Sequence, residues 1–420
     1  MTVSSAVECR VHLSLRVGRG TRPTHVAVCR ASQSMASSDR LSQLKAFDDT
    51  KAGVKGLVDT GVAAVPPIFH HPPDPHAVAP AGAVTIPVVD LAVGRADLVA
   101  QVRAAAESIG FFQVVNHGVP GELLAETLAS VLRFHEAPAE ARRPYYTRDP
   151  ARRIRYQSNV DLFRSPAANW RDTLFLEPSP EEEIPPACRP AMPEFARQVR
   201  ELGRLLLGLL SEAMGLDDAG YLERDAGCLD GGEGVPVGCH YYPPCPEPEK
   251  TLGMTRHSDP CFLTVLLQDG VGGLQALVGG SSWVDVPPLP GALVVNVGDL
   301  LQLVSNDMFR SVEHRVVAMS PAAGARVSVA CFFRPTGDAA ATRAYGPIDA
   351  TTPRYRSVTV AEFLGYYNST RTRASTADRR WATSACSSDV SDLIHPYFVL
   401  VVSALVSSKN KKQHENPCRA

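Results

Sequence analysis

Short apolar segments separated by Gly, Pro and Asp fill the second half of this chain, and they restrict its fold more than any other feature. Strands of this kind, spaced evenly and bounded by turn signals, are typical of a sandwich or a jelly roll rather than of alternating β-α units. We therefore predict a double-stranded β-helix, the jelly-roll arrangement, over 235–335. The candidate strands are 237–242, 261–268, 273–278, 282–286, 292–297, 311–317 and 326–333.

The first half of the chain carries helical periodicity instead. Apolar residues recur at helical spacing over 96–110, and the widest apolar face belongs to 195–214. We expect these helices to lie against the jelly roll as a buttress, which gives an α+β fold with an N-terminal region over 35–225. Further elements are expected as a helical start over 40–62, a strand over 86–91, a strand over 111–115 and a helix over 121–135.

The two ends differ in composition from the middle. Residues 1–34 hold five arginines against the single acid Glu8, which leaves two interpretations open: an organelle transit peptide, or a mis-annotated start with translation beginning at Met35. We expect this extension to be disordered. Residues 336–367 read as the last segment of the folded unit, and 368–420 as a poorly ordered tail rich in Ser, Thr and Arg.

Composition excludes several classes of protein. A formal net charge of −2 gives no basic field for binding nucleic acid or anionic membranes. No apolar run reaches the roughly 18 residues that a membrane-spanning helix needs. The ten cysteines lack a C-x-x-C pair, so we expect reduced thiols. These features predict a cytoplasmic protein, or a plastid protein if the extension is a transit peptide, without nucleic-acid or membrane partners. The sequence leaves the oligomeric state open, and a monomer is the default expectation.

A candidate metal site is formed by His257, Asp259 and His314. Residues two apart in an extended segment share a face, so His257 and Asp259 can point into one cavity, and His314 follows 55 residues after Asp259. Two imidazoles and one carboxylate leave adjacent coordination positions open, as oxygen-activating iron(II) requires. A closed structural zinc site would want four ligands, usually with cysteine.

A second pair of side chains follows on the next predicted strand. Arg326 and Ser328 come 12 and 14 residues after His314, and they share a face of that strand. A guanidinium offers paired donors to a carboxylate, and a hydroxyl adds a third hydrogen bond. A dicarboxylate can then reach from this clamp to the metal, and Tyr242, on a strand leading into the site, can supply another hydroxyl.

Several motifs of the chain resemble those of one protein family. In the second half they are HYYPPCP (240–246), HSD (257–259), GGLQ (272–275), PGALVVNVGD (290–299), VEHRV (312–316) and RVSVA (326–330). In the first half they are FDDTK (47–51), GFF (110–112), VNHG (115–118) and WRDT (170–173). Over 40–367 the chain resembles the plant 2-oxoglutarate-dependent dioxygenases. Within them it is similar to the 1-aminocyclopropane-1-carboxylate oxidase homologues, which include benzoxazinoid-glucoside dioxygenases.

The resemblance implies roles for these residues. His257, Asp259 and His314 match the iron(II) ligands of the family. Arg326, Ser328 and Tyr242 match the side chains with which the family binds 2-oxoglutarate. It further implies O2 as co-substrate, ascorbate as reductant, and succinate and CO2 as co-products. Phe332 matches an aromatic residue that lines the substrate pocket in relatives, and we add Phe163 and Phe262 as pocket candidates. The role of His240, where many relatives outside this branch carry Asn, stays open.

The function predicted is oxidation, by hydroxylation or a related reaction, of a specialised plant metabolite of aromatic or glycosylated, benzoxazinoid-like type. Two alternatives remain: an ascorbate-dependent 1-aminocyclopropane-1-carboxylate oxidase, and a non-catalytic homologue that binds a small molecule. Three polar residues are expected to be structural. Arg171 and Asp172 are predicted to form an ion pair beneath the pocket, with contact to the substrate as the alternative. Asp299 is predicted to hold a turn rather than to bind metal.

Overall fold

The computed structural model describes residues 39–370 apart from 81, 83, 225–226, 228, 230–234, 336–341 and 350. The extension 1–34 and residues 371–420 of the expected tail lie outside the described residues. The helices are α1 (39–49), α2 (Gly53–Asp59), α3 (Arg95–Ser108), α4 (Gly121–Glu136), α5 (Ala139–Arg142), α6 (Met192–Ala213), α7 (Tyr221–Arg224), α8 (Asp299–Val304) and α9 (Val360–Thr370).

Fifteen strands are described. They are β1 (Ala77–Val78), β2 (Val88–Asp90), β3 (Phe111–Val115), β4 (Ile154–Ser158), β5 (Asp172–Leu176), β6 (Val237–Tyr242), β7 (Leu252–His257), β8 (Leu263–Gln268), β9 (Leu274–Val278), β10 (Ser282–Asp285), β11 (Leu293–Val297), β12 (His314–Val317), β13 (Arg326–Phe333), β14 (Ala344–Tyr345) and β15 (Val358–Thr359).

Two sheets make the jelly roll. The larger has the order β2-β3-β11-β8-β13-β6-β5-β4 and the smaller the order β1-β10-β9-β12-β7. Apolar side chains of both sheets meet in one buried cluster, where Tyr242 and Val294 of the larger sheet lie with Met254, Ala276 and Val316 of the smaller. This inner layer confirms the predicted α+β fold with a double-stranded β-helix core.

The helical buttress packs on the other face of the larger sheet. Helix α6 is long and amphipathic, and its buried face includes Val199, Leu206 and Leu210. The helix approaches β13 so closely at Gly203 that a Cβ added there would lie 1.9 Å from the Phe333 ring. The glycine therefore sets the distance between helix and sheet, and the sheet holds the site.

Some elements differ from the prediction. Strands β4, β5 and β7 were not anticipated, because their polar residues break the apolar alternation that marks a strand and find partners only in the folded protein. The expected helical start over 40–62 is two helices, since the backbone turns into the left-handed region at Lys51 (φ 53°) and Gly53 (φ 74°). Helix α9 extends through Thr370, past the predicted end of the folded segment at 367.

The described cysteines are buried thiols, in agreement with the prediction of reduced cysteines. They are Cys188, Cys239, Cys245, Cys261 and Cys331. Within the described residues, no helix combines the length and the apolar character that crossing a membrane requires.

Candidate metal centre and co-substrate clamp

The pairing of β7 with β12 brings the three predicted metal ligands together. His257 ends β7 and His314 begins β12, and the two residues lie directly opposite each other in the antiparallel ladder. Their ring centroids are 4.2 Å apart. The Oδ1 atom of Asp259 lies 3.6 Å from His257 Nε2 and 3.7 Å from His314 Nε2. Three donor atoms therefore converge on one point inside the jelly roll.

Hydrogen bonds to the backbone orient both imidazoles. His257 Nδ1 lies 2.9 Å from the carbonyl oxygen of Thr255, and His314 Nδ1 lies 3.2 Å from that of Val312. A carbonyl can only accept, so each Nδ1 carries the proton and each Nε2 presents a lone pair. This is the tautomer that a histidine ligand needs, fixed before any metal binds.

The carboxylate of Asp259 is oriented in the same way. Its Oδ2 atom accepts hydrogen bonds from Thr264 Oγ1 at 2.6 Å and Asn296 Nδ2 at 2.9 Å, which leaves Oδ1 to face the imidazoles. Burial opposes ionisation of this carboxyl group. The neighbouring imidazoles of His314 and His257 and the two hydrogen bonds outweigh that cost and hold its pKa below the ordinary value. The group is thus a ready anionic ligand.

The sequence predicted only that Asp299 holds a turn. In the structure its side chain also connects two parts of the site. Asp299 opens helix α8, and its carboxylate accepts hydrogen bonds from Ser258 Oγ at 2.9 Å and Ser311 Oγ at 2.6 Å. Its backbone N–H donates to the carbonyl oxygen of Asp259 at 2.8 Å. Burial raises the pKa of Asp299 to about 7. One side chain therefore ties the loop that carries two ligands to the segment before His314.

The last described helix also reaches this loop. The hydroxyl of Tyr367, on α9, donates to the carbonyl oxygen of Ser258 at 2.6 Å. Ser258 lies between the ligands His257 and Asp259 in the chain. The C-terminal helix consequently supports the metal loop directly.

The donor set fits an open iron site. Among the described residues, His257, Asp259 and His314 form the cluster whose ligand atoms can hold a metal ion, all within 4.8 Å of one another. Two neutral imidazoles and one carboxylate suit iron(II) with open positions, and the absence of a thiolate from the triad argues against a structural zinc site.

The two residues predicted to form the clamp, Arg326 and Ser328, lie side by side on β13. Arg326 is fully buried, and its guanidinium donates to Ser328 Oγ at 3.0 Å, Gly272 O at 2.6 Å and Gln268 Oε1 at 3.2 Å. Tyr242 lies opposite Arg326 on β6, and the guanidinium sits 4.9 Å from the centre of its ring. The cation is therefore held rigidly by neutral acceptors, and its charge is left for an anionic ligand.

The three aromatic pocket candidates lie in different surroundings. Phe332 shares the face of β13 that carries Arg326 and Ser328, since all three are an even number of residues apart. Phe163 is 42% exposed, with the Arg148 guanidinium 5.4 Å from its ring centre. Phe262 is fully buried in the main core, where its ring contacts Tyr345. Contact with a substrate stays a prediction for all three.

The predicted ion pair between Arg171 and Asp172 is wrong. The Asp172 carboxylate accepts hydrogen bonds from the backbone N–H groups of Val54 and Lys55, both at 2.8 Å, and from the Ser158 hydroxyl. Adjacent residues of a strand point to opposite faces, so the two side chains cannot easily meet. Asp172 instead caps helix α2.

Sequence reasoning missed the residues that orient the ligands. Thr264, Asn296 and Asp299 hydrogen-bond to the triad or its loop, and His240 is hydrogen-bonded through Nδ1 to Thr173 Oγ1 at 3.0 Å. One signal was available for Asn296, which is a polar residue in the otherwise apolar strand β11. A buried polar side chain in such a strand needs a partner, and here the partner is Asp259.

Comparison with known proteins places this geometry in a family. The model of the 2OG-Fe(II) oxygenase superfamily matches residues 236–335, and the model of the non-haem dioxygenase in morphine synthesis N-terminal region matches residues 86–194. The 1-aminocyclopropane-1-carboxylate oxidase homolog 1 of Arabidopsis thaliana is 48% identical over 354 residues, which cover 80% of this chain and 94% of that protein. This chain belongs to the 2OG-Fe(II) oxygenase superfamily. It is an oxidoreductase of the dioxygenase type.

Further relatives agree with this membership. A 1-aminocyclopropane-1-carboxylate oxidase homolog of Solanum lycopersicum is 46% identical over 349 residues, covering 79% of this chain and 93% of that protein. Among solved structures, JOX2 in complex with 2OG, Fe and JA has a TM-score of 0.65 at 29% identity, covering 75% of this chain and 93% of JOX2. The dioxygenase for auxin oxidation in rice has a TM-score of 0.58 at 28% identity, covering 71% of this chain and all of that one.

Proposed function

We propose that this oxygenase oxidises a specialised plant metabolite of aromatic or glycosylated type, with succinate and CO2 as co-products. His257, Asp259 and His314 hold the iron, and Arg326, Ser328 and Tyr242 hold 2-oxoglutarate. The observation that carries the proposal is the convergence of a preoriented triad and a buried, charge-available arginine in one jelly roll. Bound iron(II) and 2-oxoglutarate supply the oxidising chemistry, and ascorbate serves as the reductant.

In this proposal the residues of the chain bind the metal and 2-oxoglutarate and hold them in position. The backbone carbonyls of Thr255 and Val312 accept hydrogen bonds from the Nδ1–H groups of His257 and His314, respectively. Rotation of either ring away from the metal would break its hydrogen bond. Arg326 offers its charge to the distal carboxylate of 2-oxoglutarate, and the Ser328 hydroxyl adds a hydrogen bond beside it. The buried setting of these groups excludes bulk water and thereby strengthens each electrostatic contact.

The relatives support a small plant metabolite as the substrate. The Arabidopsis and tomato relatives are plant proteins, and the rice structure is described as a dioxygenase for auxin oxidation. The inner face of the larger sheet also carries aromatic side chains beside the clamp, with Phe175 and Phe332 on either side of β6. Such a lining suits an organic molecule with a planar apolar part.

The test is succinate release from 2-oxoglutarate by the purified protein with iron(II), ascorbate and a plant metabolite extract. We expect succinate to depend on the extract, and Asp259→Ala to abolish it. Asp217→Ala, at an exposed carboxylate, serves as the matched control and should behave as the wild type. Arg326→Gln should raise the half-saturating concentration of 2-oxoglutarate about tenfold or more, since a charge-assisted pair is lost.

Two results would contradict the proposal. One is an absence of succinate with the extract and every cofactor present. The other is ethylene formed from 1-aminocyclopropane-1-carboxylate with ascorbate and without 2-oxoglutarate, detected by gas chromatography. The second result would assign the alternative activity that the sequence left open.

A further inference from the structure

Arg171 lies beside the site without a role in the iron or 2-oxoglutarate machinery. It immediately precedes β5, where Thr173 is paired with His240 of β6 and hydrogen-bonded to it. Its two neighbours belong to the opposite face. Trp170 packs with Phe69 in a separate apolar cluster, and Asp172 caps helix α2. By strand alternation Arg171 shares the inner face of the sheet with Thr173.

Arg171 is a buried residue, and no carboxylate of the described residues serves as its counter-ion. The residue is 5% exposed, and its Nε atom is buried without a hydrogen-bond partner. Among the described residues, no carboxylate forms an ion pair with it and no acceptor bonds its side chain. Arg326 differs, because three acceptors hold its guanidinium. A buried cation without partners is costly, so a protein that keeps one at a site gains from an anion that binds there.

Strand pairing places Arg171 near the clamp, because His240 of β6 is paired with Thr173 on one side and with Ser328 on the other. Burial, and then the charges of Arg171 and Arg326, hold the pKa of His240 well below its ordinary value. His240 is therefore a neutral side chain. Its ring also lies 6.4 Å from the ring of Tyr242, which stacks under Arg326.

Gly238, Phe332 and Phe175 lie around His240 on the inner face of the sheet. Gly238 precedes His240 by two residues on β6, and a Cβ added at Gly238 would lie 3.0 Å from His240 Cε1 and 3.2 Å from Phe332 Cε2. Phe175 is paired with Gly238 across β5 and its ring lies 6.4 Å from that of His240. The glycine therefore lets the His240 and Phe332 rings pack directly against β6, on the face that Arg171 shares.

We propose that Arg171 binds a carboxylate of the organic substrate, on the inner face that it shares with Thr173 and His240. This inference rests on the proposed function and narrows its substrate class to monocarboxylic acids. A guanidinium and a carboxylate match as a bidentate pair. A single charge is expected on the substrate, because Arg171 is one cation and Arg326 is already assigned to 2-oxoglutarate.

The experiment compares acids with their uncharged amides. The probes are acetate, benzoate, phenylacetate and indole-3-acetate, each beside its amide, added to the iron(II)- and 2-oxoglutarate-loaded protein without oxygen. The rise in melting temperature reports binding. We expect at least one aromatic acid, and not its amide, to stabilise the wild type. Arg171→Gln should raise the half-saturating concentration of that acid about tenfold or more, since the charge-assisted pair is lost.

Three controls keep the outcomes distinct. Arg171→Lys keeps the charge and should retain part of the acid binding. Arg153→Gln, at an exposed arginine, should match the wild type. The half-saturating concentration of 2-oxoglutarate should be the same in Arg171→Gln as in the wild type. The comparison of acid with amide on the wild type requires no variant and stands even if Arg171→Gln fails to fold.

Several results would overturn the inference. They are equal stabilisation by acids and amides, no stabilisation by any acid, or an effect of Arg171→Gln confined to 2-oxoglutarate. If succinate still forms with the plant extract in these cases, the proposed function survives and only the substrate assignment fails. If 2-oxoglutarate itself neither binds nor is consumed, the proposed function fails first.

Discussion

At the scale of single residues, each metal ligand is held by a hydrogen bond at the atom that does not face the metal. Thr264 donates one of two hydrogen bonds to Asp259 Oδ2, and Asn296 donates the other. Partners of this kind fix the ligand in one orientation and tune its affinity for the metal. The consequence for Thr264 can be measured directly.

We expect Thr264→Val to weaken iron(II) binding about tenfold, because partners that orient a ligand typically contribute 10- to 100-fold to affinity. The measurement is an iron(II) titration of succinate formation, beside an anaerobic binding titration. Thr127→Val is the matched control, since Thr127 is as buried as Thr264 but bonds only the carbonyl of Leu123 within helix α4. Equal iron affinities in the two variants would show that the Thr264 hydroxyl does not position Asp259.

Asp299 carries a second prediction, on pH. Burial raises its pKa to about 7, from 3.8 in an unfolded chain, so the folded protein favours the protonated form. Between pH 4 and 7 the unfolded state therefore binds fewer protons than the folded state, and stability is lost as the pH rises. Over these three pH units the contribution of Asp299 to the free energy of unfolding falls by about 4 kcal/mol.

The substitution Asp299→Asn should remove this loss of stability with rising pH. In metal-free protein, the melting temperature of the variant should rise relative to that of the wild type as the pH increases from 4 to 7. The difference between the two proteins isolates Asp299 from the other titrating groups. A difference that stays constant over this range would show that Asp299 has an ordinary pKa.

At the scale of elements, the contact of helix α6 with β13 depends on one glycine. A Cβ on Gly203 would overlap the Phe333 ring, whereas a Cβ on Gly208 of the same helix would meet its nearest atom at 3.6 Å, an ordinary contact. Overpacking a core typically costs about 1–3 kcal/mol, and replacing an interior helix glycine by alanine gains up to about 1 kcal/mol.

We therefore expect Gly203→Ala to lower the free energy of unfolding and Gly208→Ala to leave it unchanged or raise it. Chemical denaturation of both variants beside the wild type gives the comparison, with iron(II) and 2-oxoglutarate absent so that only packing is measured. A Gly203→Ala protein as stable as the wild type would mean that Phe333 relocates at little cost.

At the scale of the whole molecule, the site joins both sheets and the C-terminal helix. The triad belongs to the smaller sheet and its flanking loop, the clamp belongs to the larger sheet, and Tyr367 ties α9 to Ser258. A ligand that bridges the triad and the clamp should stabilise the entire jelly roll, because it binds the folded state alone.

We expect iron(II) with 2-oxoglutarate, each at about 100 times its dissociation constant, to stabilise the fold by at least about 2.7 kcal/mol. For a domain of this size that corresponds to a rise in melting temperature of roughly 5 °C. Chelation of the metal should reverse the rise, and Asp259→Ala should show little of it. An Asp259→Ala protein stabilised as fully as the wild type would contradict the assignment of the triad.

The sequence by itself determined the architecture and the chemistry of the centre. The spacing of short strands predicted the jelly roll, because the pleat and its turns are local features. The triad and the Arg326–Ser328 pair were also readable, since residues two apart share a face whatever surrounds them.

Only the tertiary structure decided which polar groups serve those residues. The hydrogen bonds to Asp259 come from Thr264 on β8 and Asn296 on β11, and no spacing in the chain brings those strands beside the metal loop. Arg171 and Asp172 are adjacent in sequence, yet the fold sends one side chain to a helix and leaves the other beside the site. The physical reason is that burial and partnership are set by strand pairing over long distances in the chain, which local patterns do not encode.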